Sequence, residues 1–247
     1  MTSPLSPLTV VNRAARLLAQ NTWRFVVVCL LCEAIPEFIV GHYVNKPLDV
    51  QRMAYGEYYA LQLLTFIAVI AFAALHKTIG GRVILDRWEE DARGFWASVA
   101  AGAVRFGRSF WLLIPVGMLN YWLTYFAYFV PGVIFFYIFC VFDPYFAIDK
   151  NTLGASWQAA WKMARLHSPM LILNCLIFST VAYLFHWTYV ILAGKWVIQM
   201  TPEQQFFAYM VFATVVGTTF SAWTISFYIS IKECLGDRPQ QVAAIFE

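Results

Sequence analysis

Glu33 and Glu37 are the residues of this chain whose type and setting could support chemistry. They stand i, i+4 in the apolar run 24–44, VVVCLLCEAIPEFIV at its centre. At about 1.5 Å per helical residue they lie roughly 14 and 20 Å in from Arg24. An ionised carboxylate at that depth in an apolar medium is costly, so such a residue marks an ion, proton or ligand site unless it is neutral or hydrogen-bonded between helices. Both readings apply. Protonated glue beside Pro36 is one, with Glu37 reaching toward the outer interface, and a proton or ligand site is the other. A neutral, hydrogen-bonded Glu33 is the expectation.

The remaining candidates are weaker. Cys29-x-x-Cys32 has redox or metal spacing, but it lies inside an apolar run without a second pair and reads as filler. His186 and Trp187 read as an interface anchor, His76-Lys77 as a cytoplasmic flank, and Asp143 before Pro144 as a helix-end cap or part of a pocket. Gly80-Gly81 reads as a helix stop. The five cysteines are odd in number and scattered, which is no disulfide framework. No phosphate-cradling glycine loop, nucleophile set or zinc spacing is present in the sequence. No reaction, metal or cofactor is therefore expected, and the chain reads as a non-enzyme.

The elements that must position these residues follow from composition. Of the 247 residues, 61% are hydrophobic, 18% aromatic and 13% charged. Soluble domains carry roughly 25% charged residues, so several segments here lack a solvated face. Apolar runs at 24–44, 58–79, 109–130, 132–149, 169–192 and 206–231 approach or exceed the roughly 20 residues that cross a bilayer. The chain is read as one all-α integral membrane domain over 1–247, with six transmembrane helices. No cleavable leader is expected at Met1, the first span acting as insertion signal.

Three amphipathic, Ala-rich stretches (8–20, 94–108 and 152–167) precede spans, and their pattern suits helices lying in the headgroup plane. Placing both termini inside leaves only Lys46, Arg52 and Lys195 of the 17 basic residues outside. All three amphipathic helices then face the cytoplasm. There Arg13, Arg16, Arg105, Arg108, Lys162 and Arg165 would meet anionic headgroups at about 1 kcal/mol each. Membrane lipid is the expected partner, with a membrane-protein complex open and nucleic acid excluded.

These stretches and their spans form an internal repeat, with units at about 8–44, 94–130 and 152–192. Ala14, Ala101 and Ala160 align, as do Leu17, Val104 and Met163, at offsets of 87 and 59 residues. Thr22, Ser109 and Ser168 then fall at three elbows, each able to cap the helix that follows. The same register puts Glu33, Asn120 and Ser179 in one layer and Glu37, Thr124 and Tyr183 in another. Those six side chains are the candidate intramembrane polar site, if the layers face one another; ordinary interhelical hydrogen bonding is the alternative.

Several segments resemble a known group. They are AARLLAQNTWRF leading to Ile35-Pro36, Val130-Pro131-Gly132, the Asp143-Pro144 exit, Ile148-Asp149, the Ser156/Ala160 helix running into Ser168, and the ending RPQQVAAIFE. In these the chain resembles the uncharacterised bacterial membrane proteins grouped around YciC, the domain-of-unknown-function 975 proteins and the membrane domain of glycerophosphoryl diester phosphodiesterases. It departs from them at Ala160-Trp161 and Arg165-Leu166-His167. The resemblance implies a bacterial inner-membrane location and a six-helix bundle, and no reaction. Two functions follow as expectations. The first is a non-enzymatic assembly, scaffold or lipid-organising subunit; the second is a small transporter or channel using Glu33 and Glu37.

Overall fold

Residues 3–44, 55–86, 93–126, 141–142, 144–148, 152–195 and 200–236 are described by a computed structural model. Helix α1 (Pro7–Cys29) starts where Ser6 accepts the Thr9 N–H at 3.2 Å and Pro7 supplies a first-turn residue that needs no donor. Two later helices start in the same way. In α4 (Phe95–Phe126) and α5 (Leu153–Lys195), the N–H groups of Ser98 and Ser156 donate to Gly94 O and Thr152 O at 3.0 Å, as Val10 does to Ser6 O. Thr152 Oγ1 also accepts the Ala155 N–H at 3.3 Å. The three starts match the expected amphipathic stretches.

Helix α1 and helix α5 each break once. Asn21 (φ −129°, ψ 21°) and His167 (φ −132°, ψ 23°) leave helical geometry in nearly the same way, one residue before the expected elbows at Thr22 and Ser168. The Thr22 hydroxyl does not cap the helix that follows. It donates backward to Leu18 O at 2.7 Å, while Asn21 Nδ2 donates to Leu17 O at 3.1 Å, so local side-chain bonds hold the bend.

Helix α4 differs: it runs unbroken through Ser109, and the bend expected there is not present. The expected register of this middle stretch is also off by one. Val104 is 55% exposed, whereas Leu17 and Met163 are fully buried. Gly102 instead takes the buried place of Ala14 and Ala160, because a Cβ there would sit 2.7 Å from Ile79 Cα. The helix starts at Pro7, Phe95 and Leu153 are accordingly spaced 88 and 58 residues apart.

Helix α3 (Tyr55–Leu85) corrects a second expectation. Its apolar run does not stop at Gly80-Gly81; the helix passes through both glycines and continues to Leu85. A Cβ on Gly81 would stand 2.7 Å from Ile148 Cγ1, so the pair permits close packing rather than ending a helix. Beyond it, Arg82 pairs with Asp86, both buried. Helix α6 (Pro202–Leu235) opens with a capping box between Thr201 and Gln204 and closes at Gly236 in the left-handed region (φ 84°).

Four of these helices are long and apolar enough to cross a membrane: Gly56–Leu85, Phe95–Leu119, Leu153–Phe185 and Glu203–Leu235. The chain is thus an all-helical membrane protein in the described residues. Residues 24–44 are divided among the end of α1, a π-helical turn (Leu30–Ala34) and α2 (Ile35–Val44). Most of the expected fourth span at 132–149, the Pro131-Gly132 turn, Asp143 and the loops at 45–54 and 87–92 lie outside the described residues.

Helix α3 packs along α4 and α1 along α6, while the π turn touches α2, α3 and α6. Phe25, Leu113, Leu171, Ile148 and Tyr228 fill the centre of the core. The outward faces stay apolar, with Leu63, Leu64, Phe110, Leu173, Leu184 and Phe207 exposed. So much exposed apolar surface is what lipid contact requires.

Candidate functional site

The site begins with a backbone irregularity. Pro36 has no N–H and its ring crowds the carbonyl four residues back, so regular α-helix is disfavoured at residues 32–36. The chain responds with the π turn Leu30–Ala34, in which the Ile35 N–H reaches Leu30 O, five residues back. Glu33 lies within that turn, Cys29 immediately before it and Glu37 one turn after it.

Both carboxylates face protein. Glu33 Oε2 is hydrogen-bonded to Nδ1 of His76 on α3. Glu37 Oε2 accepts from the Tyr209 hydroxyl of α6 at 3.0 Å. His76 is only 4% exposed, so it is a core residue and not a cytoplasmic flank. This pairing sets an imidazole at the level of Glu33. Helix α3 reaches Leu85, which places His76 well inside the bundle.

Helix α6 closes over the pair through Gly217. A Cβ at that position would be 2.5 Å from Cys29 Sγ, 3.1 Å from Glu33 Oε2 and 3.5 Å from His76 Cε1. Glycine is what allows the backbone of α6 to lie directly on these three side chains. Cys29 Sγ makes one long contact, 3.7 Å to Ala213 O. The donor atoms of Cys29, Glu33 and His76 all lie within 4.8 Å of one another.

The rest of the expected polar site is less convergent. Ser179 is buried, but among the described residues its Oγ has no hydrogen-bond partner and so does not complete Glu33. Tyr183 is 46% exposed and stacks edge-on against Trp187 at 5.9 Å, so it faces outward rather than into a core layer. Asn120 and Thr124 belong to α4, but their side chains lie outside the described residues.

The expected headgroup cations also divide. Arg16, Arg108, Lys162 and Arg165 are exposed. Arg13 is not available to lipid. It is 8% exposed, donates to Ser230 Oγ at 2.8 Å and forks onto Glu233 at 2.9 and 3.0 Å. Arg105 also turns inward, donating to Phe146 O at 2.6 Å with its guanidinium 5.2 Å from the Phe146 ring.

No protein-family model matches the chain, and no curated protein or solved structure matches it. His76, Tyr209 and Gly217 are the site residues that pattern reading missed. A signal for His76 existed: Val83, Ile84 and Leu85 continue the apolar run past Gly81, and a carboxylate as deep as Glu33 needs a polar partner at its own level.

Proposed function

We propose that this chain is a non-enzymatic integral protein of the bacterial inner membrane. Both termini lie in the cytoplasm, six spans are reached with residues 24–44 and 132–149, and the protein works through helix and lipid contacts as an assembly, scaffold or lipid-organising subunit. The observation that carries this reading is the outer face of α5 ahead of its kink. Trp157, Trp161, Lys162, Arg165 and Leu166 are all exposed there, and the Arg165 guanidinium lies 5.5 Å from the centre of the Trp161 ring. A stripe of indoles interleaved with cations suits the boundary between acyl chains and anionic headgroups.

The helix starts at Pro7, Phe95 and Leu153, the matching kinks at Asn21 and His167 and the buried trio Ala14, Gly102 and Ala160 support a threefold amphipathic-helix-plus-span repeat. Its register is 88 and 58 residues. Anionic-lipid retention by the purified protein, read by native mass spectrometry, tests the lipid reading. Wild type should keep anionic lipid, and a Lys162→Glu/Arg165→Glu variant should lose most of it. Equal retention by both would contradict the proposal.

A second reading, a small transporter or channel with Glu33 and Glu37 in its path, draws on one observation. Both carboxylates are held inside the bundle, by His76 and Tyr209. Cation or proton flux in proteoliposomes that is abolished by Glu33→Gln in a normally folded protein would support it. Absence of flux from wild type would remove it.

A further inference from the structure

We infer that Cys29, Glu33 and His76 form a binding site for one divalent transition-metal ion of the zinc class, set between the π turn, α3 and α6. This site stands independently of the lipid-contact reading. The three side chains offer a thiol sulfur, a carboxylate oxygen and an imidazole nitrogen whose donor atoms lie within 4.8 Å of one another. That set of one soft, one hard and one borderline donor suits Zn²⁺ or Co²⁺, and it is poor for Mg²⁺ or Ca²⁺, which take oxygen shells.

The geometry of the backbone is arranged around these atoms. The π turn brings Cys29 and Glu33 to one side, facing His76. Gly217 lets the α6 backbone approach these atoms without a side chain, since any Cβ would strike Cys29 Sγ. The cluster also leaves its own bonding capacity unfilled. Among the described residues, His76 Nε2 is buried without a hydrogen-bond partner, and Ser221 Oγ on α6 is in the same condition. A Cβ on Gly80 would lie 3.2 Å from that Oγ and 3.7 Å from His76 Cδ2, so both side chains border the same glycine. With Nδ1 turned to the ion, the buried Nε2 would carry the proton, the tautomer a ligating histidine normally adopts.

Charge favours the same conclusion. On binding, the Cys29 S–H bond breaks and its proton leaves to water, the proton held between Glu33 Oε2 and His76 Nδ1 leaves likewise or passes to Nε2, and the freed sulfur and nitrogen pairs bond the ion. Thiolate, carboxylate and a neutral imidazole then cancel a 2+ charge within an apolar bundle. Three protein donors leave a fourth tetrahedral position for water or an exchanging ligand, as in sites where the ion is reactive or mobile rather than purely structural.

Tag-free protein in detergent, titrated with Co²⁺, tests the proposal. One equivalent should produce a near-ultraviolet thiolate-to-cobalt band that Zn²⁺ abolishes and Mg²⁺ does not. Cys29→Ser, which preserves size, should lose that band. Glu33→Gln and His76→Gln should each weaken binding by more than about a hundredfold, beyond what an outer-shell change costs. Gly217→Ala, which removes no donor, should also weaken it. Absence of the band from wild type, or a band surviving in Cys29→Ser and so arising from another thiol, would overturn the site. Because the wild-type spectrum decides alone, a variant that fails to fold does not rescue the idea.

Discussion

Helices α1 and α5 share a frame and diverge in what they carry. Each begins beside a hydroxyl residue, buries Leu17 or Met163 before its kink and Phe25 or Leu171 after it, and kinks at Asn21 or His167, 146 residues apart. At that offset Cys29 corresponds to Cys175, both buried, yet Glu33 corresponds to Ser179 and Pro36 to Ala182. Helix α5 stays regular past this level, while the α1 path opens into the π turn and gains His76 as a partner. A thiol at the right depth is thus common to both. What distinguishes the α1 path is the π turn ahead of Pro36, whose Glu33 is paired with His76 on α3.

The largest test of that divergence lies before the kink, where α1 has Arg13 and α5 has Ala159. Arg13→Ala strands Glu233 in a largely buried position and should destabilise by about 3–5 kcal/mol in denaturant titrations. Arg16→Ala, on the exposed face of the same helix, should stay within about 0.5 kcal/mol. A small effect at Arg13 would mean the α1–α6 contact is weaker than the buried fork onto Glu233 implies.

Glycine substitutions sharpen the contrast next. Gly217→Ala must displace Cys29 or α6 and should cost about 1–3 kcal/mol. Gly154→Ala, in the first turn of α5 with nothing within 4 Å of a new Cβ, should instead stabilise by about 0.4–1 kcal/mol. Thermal midpoints in one detergent would separate the two signs.

The matched polar pair gives the smallest difference. Glu33→Leu leaves His76 without its partner and should cost about 0.6–2 kcal/mol, the scale of interhelical hydrogen bonds in membranes. Ser179→Ala removes a buried hydroxyl that bonds nothing, so it should be neutral or slightly stabilising. Equal losses at the two positions would erase the distinction between the copies.

Much of this frame was legible in the chain. The helix starts near Leu8, Gly94 and Thr152 follow from amphipathic spacing, and the inward setting of Glu33 and Glu37 follows from the cost of a carboxylate in lipid. Other features were hidden for identifiable reasons. An Ala-rich helix fixes register poorly, because Ala101 and Gly102 are nearly interchangeable by pattern; only contact with Ile79 selects the glycine. Paired glycines mark a helix stop locally, and the Ile148 side chain that fills the space at Gly81 comes from a distant segment. Arg13 reads as a headgroup contact until Glu233, 220 residues away, is folded beside it.

The account turns on His76 being the partner of Glu33 inside the bundle, and a double-mutant cycle measures that contact most directly. Glu33→Leu, His76→Leu and the double variant would be unfolded in the same bicelles as wild type. Interaction through a direct contact predicts a coupling energy of about 1 kcal/mol, the double variant losing less than the two single losses together. Additive losses, agreeing within about 0.3 kcal/mol, would contradict the contact and with it the site built around the π turn.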